Sequence, residues 1–118
     1  MKLITAIVRP EQLDELISAL IDRGVRGLTV TDVRGFGRQY GRLASAATRA
    51  TGRAGEHMAV LLVKVRLDLL VLDDDAETII EVIAKHARTE TIGDGKIWVT
   101  PVDRALRVRT GERDHAAV

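Results

Sequence analysis

The run "KLITAIV" (2–8) is apolar and β-branched and closes before Pro10, which predicts a first strand. Pro10 suits the first turn of a helix, where its missing N–H would have had no partner. Leu13, Leu16, Ile17 and Leu20 then recur at helical spacing, and Gly24 marks the stop. In "GLTVTDVRGF" (27–36) the pattern changes to alternation: Leu28, Val30 and Asp32 fall on one face, Thr29, Thr31 and Val33 on the other. Residues 37–57 carry no period. A stretch of Gly, Ala, Ser, Thr and Arg this long inside a compact domain reads as a functional loop.

A long strand is expected in "MAVLLVKVRLDLLVL" (58–72), with Val63, Val65, Leu67, Leu69 and Val71 on one face and Lys64, Arg66 and Asp68 on the other. "DDDAETIIEVIAKHAR" (73–88) predicts a second helix, with acids in its first turn and a stripe of Ile79, Ile80, Ile83 and Ala87. "KIWVTPV" (96–102) predicts another strand, and "ALRVR" (105–109) a short last one with Leu106 and Val108 on its buried side. The order is β-α-β, long loop, β-α-β. Two such halves closing one antiparallel sheet, with both helices on one face, give a ferredoxin-like α+β fold. A parallel α/β sheet would need more crossover helices than the pattern contains.

Composition narrows the class. A length of 118 residues suits one domain spanning 1–118, and 46% hydrophobic with 30% charged residues excludes general disorder. The absence of cysteine excludes disulfides and thiolate metal sites. The N-terminal apolar run ends at Arg9-Pro10, short of a signal peptide, and "MAVLLV" (58–63) falls far short of a membrane span, so a cytoplasmic protein is expected. A net charge of +1 and 3% aromatic residues argue against direct nucleic-acid binding.

Candidate chemistry concentrates in two places. In "IGDGKIWV" (92–99), Gly93 and Gly95 permit positive φ and close approach of backbone to a ligand, and Lys96 adds a mobile charge. The stretch is no Walker A loop, since Glu90 and Ile97 stand where glycine and Ser or Thr are required. The bland alternative is a simple turn into a strand. In "RVRTGE" (107–112), Arg107 and Arg109 would project to one side of a strand, suited to a polyphosphate; the alternative is a solvated strand edge. "GFGRQYG" (35–41) misses the dinucleotide fingerprint by one position. His57, His86 and His115 are too scattered for a zinc site, and Ser18 and Ser45 lack a nucleophile elbow, so no catalytic constellation emerges and no enzyme is expected.

Taken together, "MKLITAIVRPEQLDEL", "VTDVRGFGRQYG", "KVRLDLLV" and "IGDGKIWVTPVDRALRVRTGE" resemble the PII nitrogen-regulatory signal proteins over all but roughly residues 42–56. The resemblance implies a homotrimer with ATP or ADP in the clefts between subunits and 2-oxoglutarate beside the ATP through a shared Mg²⁺. It implies that a long T-loop, here 37–57, engages a target protein. Carried over by motif, Gly93, Asp94, Gly95 and Lys96 would wrap the phosphates, with Arg107, Arg109 and Arg38 reaching them. Ile7, Thr29, Gly35 and Leu70 would line the adenine end, and Gly37 and Gln39 would join the nucleotide site at the hinge. Gln39 would help complete the Mg²⁺ shell, and Lys64 would pair with the 2-oxoglutarate carboxylate, assisted by backbone near Gly37 and Gly41.

Departures from the pattern fall in the loop, which is longer than usual. His57 stands at the position of the tyrosine that receives a nucleotidyl group in many members, Gly55 at that of a serine modified in others, and Tyr40 is the only tyrosine. Tyrosine nucleotidylylation is therefore not expected. Arg53 falls where channel-blocking members carry a pore-inserting arginine. An ammonium transporter, a metabolic enzyme or a transcription regulator are the target classes the family implies, the first of which would recruit the protein to a membrane. Two other readings remain open: a PII-like sensor of carbon status, responding to bicarbonate or another nucleotide, and a metal-tolerance or nucleotide-hydrolysing domain on the same fold.

Overall fold

The structure, a computed structural model, describes residues 1–37 and 61–118. Arg38, Gln39, Tyr40, Gly41, Arg53, Gly55 and His57 lie outside the described residues, as do the first three positions of the strand expected at 58–72.

Among the described residues, four strands and two α-helices carry the fold: β1 (Lys2–Val8), α1 (Leu13–Asp22), β2 (Thr29–Gly35), β3 (Leu62–Val71), α2 (Ala76–Ala87) and β4 (Lys96–Pro101). They form one sheet in the order β2-β3-β1-β4, with antiparallel neighbours throughout. Each β-α-β half straddles a strand of the other half, which is the split topology of the ferredoxin-like α+β fold.

Local chemistry explains the helix boundaries. Pro10 opens a 3₁₀ turn that leads into α1. At its end Gly24 adopts φ +89°, and the N–H groups of Gly24 and Val25 donate to the carbonyls of Ile21 (2.9 Å) and Leu20 (3.0 Å). This is a Schellman cap, and it satisfies two carbonyls the helix would otherwise leave open. Asp73–Asp75 form a 3₁₀ turn ahead of α2, and Asp73 binds the N-terminal ammonium at 3.0 Å. Its carboxyl is held below the usual range chiefly by that hydrogen bond.

The core lies between the helices and one sheet face. Ile4, Ala6 and Val8 of β1 and Val65, Leu67, Leu69 and Val71 of β3 meet Leu16 and Leu20 of α1 and Ala76, Ile79, Ile83 and Ala87 of α2. The alternation in β3 is thus as expected from Val65 onward, but Val63, near the start of the strand, is 57% exposed. The opposite sheet face, uncovered by helices among the described residues, carries Leu3, Thr5 and Ile7, with Leu70, Asp68 and Arg66 across from them in β3 and Lys64 one step further along.

One expected strand is absent. Residues 105–109 contribute an isolated bridge, Leu106 to Arg113, and no strand. The chain doubles back at once: Gly111 takes φ +75°, its N–H donates to the Arg107 carbonyl, and the Arg107 N–H donates to the Glu112 carbonyl, both at 2.8 Å. Leu106 (50%) and Val108 (92%) are consequently exposed, contrary to the buried side expected of them. The alternation L-R-V-R mimics a strand, but a tight turn follows before a sheet partner can be reached.

Candidate functional site: a glycine turn and an arginine cleft

The segment 89–95 is shaped by a clasp rather than by regular structure. Arg9, just past β1, donates from Nε to Asp94 Oδ1 (3.1 Å) and from Nη2 to the Ile92 carbonyl and Thr91 Oγ1, both 2.8 Å. The Thr89 N–H donates to Asp94 Oδ2 at 2.7 Å, and the Thr89 hydroxyl donates to Asp94 Oδ1. Since a hydroxyl has one proton, the 2.7 Å contact between the Thr89 and Thr91 hydroxyls has Thr91 donating. Asp94 is therefore committed to holding the turn. The Thr89 hydroxyl and, after it, the Thr89 N–H and Arg9 hold its carboxyl far below the usual range, outweighing the effect of burial.

Gly95 closes the turn against β1 at φ +101°. A Cβ built there would stand 1.7 Å from the Ile7 carbonyl oxygen and 2.7 Å from its carbon. Only glycine fits. Ile7 and Lys96 are directly paired across β1 and β4, and Ile7 is paired with Arg66 across β1 and β3, so Ile7, Lys96 and Arg66 share one row of the open face.

Lys64 joins the same end of the sheet. It is 9% exposed, and its Nζ donates to the Gly93 carbonyl at 2.6 Å. Burial, and then the Arg9 guanidinium, pull its pKa below the ordinary 10.5, while Glu11 and Asp94 oppose the shift. Lys64 is thus buried and hydrogen-bonded, not solvated.

A second group lies elsewhere. Thr29, Leu70 and Arg107 line a cleft of about 900 Å³ together with the 24–28 segment and Val118. Arg107 is not a bare cation: it pairs with Glu112 through Nη1 and donates from Nη2 to a main-chain oxygen of Val118 at 3.3 Å. Arg109 is exposed and enters no ion pair among the described residues; the same holds for Lys96. Gly35 ends β2, paired with Leu62, and Gly37 stands two residues on, at the edge of the undescribed segment.

The structure thus gathers Ile7, Lys64, Gly93, Asp94, Gly95 and Lys96 at one end of the sheet, and Thr29, Leu70 and Arg107 around the cleft. Leu70 stands six positions along β3 from Lys64, which at ~3.3 Å per residue separates the two groups by about 20 Å. Sequence reasoning missed Arg9, Thr89 and Thr91, which are far from β1 in sequence or carry no motif spacing. It also missed Glu112 and Thr110, and the network of Thr5 (to Asp68, 2.7 Å) and Arg66 (to Asp68, 2.8 and 3.0 Å) on the open face. No periodic signal marks these; only the adjacency of Arg9 to the end of β1 hints at a role.

Among the described residues no group of three or more His, Asp or Glu side chains could hold a metal, and no helix is long and apolar enough to cross a membrane.

The described residues thus form an antiparallel α+β sheet with a glycine turn packed closely on β1 at one end and a cleft lined by Arg107 further along. Residues 1–112 match the family described as "Nitrogen regulatory protein P-II", and the chain belongs to that family of signal-transduction proteins. It is 42% identical to nitrogen regulatory protein GlnK of Escherichia coli (strain K12) and 44% identical to nitrogen regulatory protein P-II of Klebsiella oxytoca, each over 118 residues covering both chains entirely. Among solved structures it is similar to Arabidopsis thaliana PII bound to citrate, with a TM-score of 0.78 and 39% identity over 99% of this chain and 91% of that one.

Proposed function

We propose that this protein is a PII-type regulator that senses ATP and ADP in clefts formed between neighbouring subunits of a homotrimer. It responds to 2-oxoglutarate beside ATP and acts on a target protein through the loop at 37–57, without tyrosine nucleotidylylation and without being an enzyme. The observation that carries this reading is the separation of the two groups. The turn with Lys64 and Lys96, and the cleft with Thr29, Leu70 and Arg107, lie about 20 Å apart along one strand, too far for one chain to close both around a nucleotide. A neighbouring copy that brings its cleft against the turn completes the site.

Within that site Lys96, Arg107 and Arg109 supply cations for a polyphosphate, and Gly95 lets it approach main chain. Asp94 contributes by fixing the turn, since its carboxylate is occupied by Arg9 and Thr89. Lys64 holds the Gly93 carbonyl until a carboxylate ligand competes for its ammonium. Mg²⁺ would be held by Gln39, which lies outside the described residues, together with the ligand, and would neutralise phosphate charge when bound. The citrate in the Arabidopsis neighbour supports binding of small carboxylates on this fold. Target classes remain those of the family: an ammonium transporter, which would draw a cytoplasmic protein to a membrane, a metabolic enzyme or a regulator.

Calorimetric titration tests the reading. ATP and ADP should each bind at sub-millimolar concentration, and 2-oxoglutarate should bind once ATP and Mg²⁺ are present. Lys64→Ala should keep ATP affinity within a few-fold and weaken 2-oxoglutarate roughly a hundredfold, since a charged partner in a buried setting is lost. No heat from either nucleotide ends the proposal.

A further inference from the structure

Arg107 faces the cleft already paired with an internal anion. Its Nη1 donates to Glu112 Oε2, and the same oxygen accepts from the Thr110 hydroxyl at 2.6 Å. The two residues are also locked through main chain, Arg107 N–H to the Glu112 carbonyl and Gly111 N–H to the Arg107 carbonyl, both 2.8 Å. This six-residue turn keeps the Glu112 side chain next to Arg107, and the Thr110 hydroxyl gives its carboxylate a second anchor. An incoming anion therefore meets a guanidinium whose charge is partly spent.

We propose that Glu112 is an affinity-setting residue: a built-in competitor that aims Arg107 into the cleft while weakening its hold on anionic ligands. The inference rests on the nucleotide reading above. A polyphosphate bound to Arg107 lies within a few ångströms of the carboxylate that Arg107 and Thr110 hold there, and the repulsion grows with the ligand's charge. The hydrogen bond from Thr110, and after it the charge and hydrogen bond of Arg107, hold the Glu112 carboxyl below its usual range despite some desolvation, so the competing charge persists through physiological pH. Such a device lowers affinity for every charged ligand and leaves the discrimination by shape to Thr29 and Leu70. It suits a sensor, whose dissociation constant must lie near the working concentration of its ligand for occupancy to change.

Glu112→Gln isolates the charge, because a glutamine oxygen can still accept from Arg107 and Thr110. Titration of the full chain with ATP, adenosine and inorganic tripolyphosphate should show ATP and tripolyphosphate tightened roughly threefold to tenfold in the variant, the range one partly screened charge produces at this separation. Adenosine should bind both proteins alike. Unchanged or weakened ATP binding in a variant that melts like the wild type overturns the inference, as does an equal shift for adenosine, which would mark a structural role. If wild type ignores ATP but takes tripolyphosphate, and the variant takes it more tightly, the nucleotide reading fails while the role of Glu112 stands. If neither protein binds either anion, both fall. Glu112→Ser, also neutral and able to hydrogen-bond, is the second variant should the first lose its fold.

Discussion

Gly95→Ala should destabilise the protein by roughly 3 kcal/mol and abolish nucleotide binding, because two separate costs act at one atom. The native φ of +101° is one an alanine adopts only under strain. The added Cβ would also stand 1.7 Å from the Ile7 carbonyl oxygen, and this neighbour is backbone of the hydrogen-bonded strand β1, not a side chain that can rotate away. Relief requires β4 to peel from β1 at the Ile7–Lys96 pair, which moves Lys96 and the turn together. Urea denaturation checks the stability term, and calorimetry on protein kept well below the midpoint checks binding. A variant as stable as wild type would contradict the close packing of the turn on β1.

Asp94→Asn should cost about 2 kcal/mol at neutral pH, the range for losing charge-assisted hydrogen bonds from a partly buried carboxylate. Asparagine can keep one acceptor for Arg9, but its amide then faces the Thr89 N–H donor to donor. The pH dependence follows from the depressed carboxyl. Its folded value lies far below the ordinary 3.8, so the clasp contributes in full above that value and is lost as pH falls through the folded one. Wild type and Asp94→Asn should therefore differ most at pH 7, begin to converge below about pH 5, and differ least near pH 2. Asp68, Asp73 and Glu112 are likewise depressed, but they are present in both proteins and cancel in the difference. A gap between the two midpoints that stays constant from pH 7 to pH 2.5 would show that the charge of Asp94 does not hold the turn.

These two residues also mark where sequence reading stops. The helices were legible because each boundary is local: Pro10 opens the first turn, and Gly24 closes α1 with two main-chain hydrogen bonds. The sheet was legible because Val65, Leu67, Leu69 and Val71 must share a face, and burial follows. The glycine turn could be recognised, but its fastening could not, since Arg9 and Asp94 are 85 positions apart and meet only because β1 and β4 are neighbours. Alternation places Lys64 on the face opposite the core, and the Gly93 carbonyl it binds comes from a distant part of the chain. At 105–109 the alternation was real and the strand was not, because the turn that follows pairs Arg107 with Glu112 before any sheet edge is met. Local periodicity carries elements, whereas the partner of a charged side chain is decided by topology.

The two groups of candidate residues lie too far apart on one chain to act together, so the account depends on their meeting across a subunit boundary. Co-expression of Lys96→Ala and Arg107→Ala chains, each carrying a different affinity tag, tests this by complementation. Each variant alone should bind ATP weakly. Purified mixed assemblies should recover high-affinity binding at the boundaries where an intact turn faces an intact Arg107, and failure of mixed assemblies to form, or to bind better than either parent, would contradict a site built from two copies.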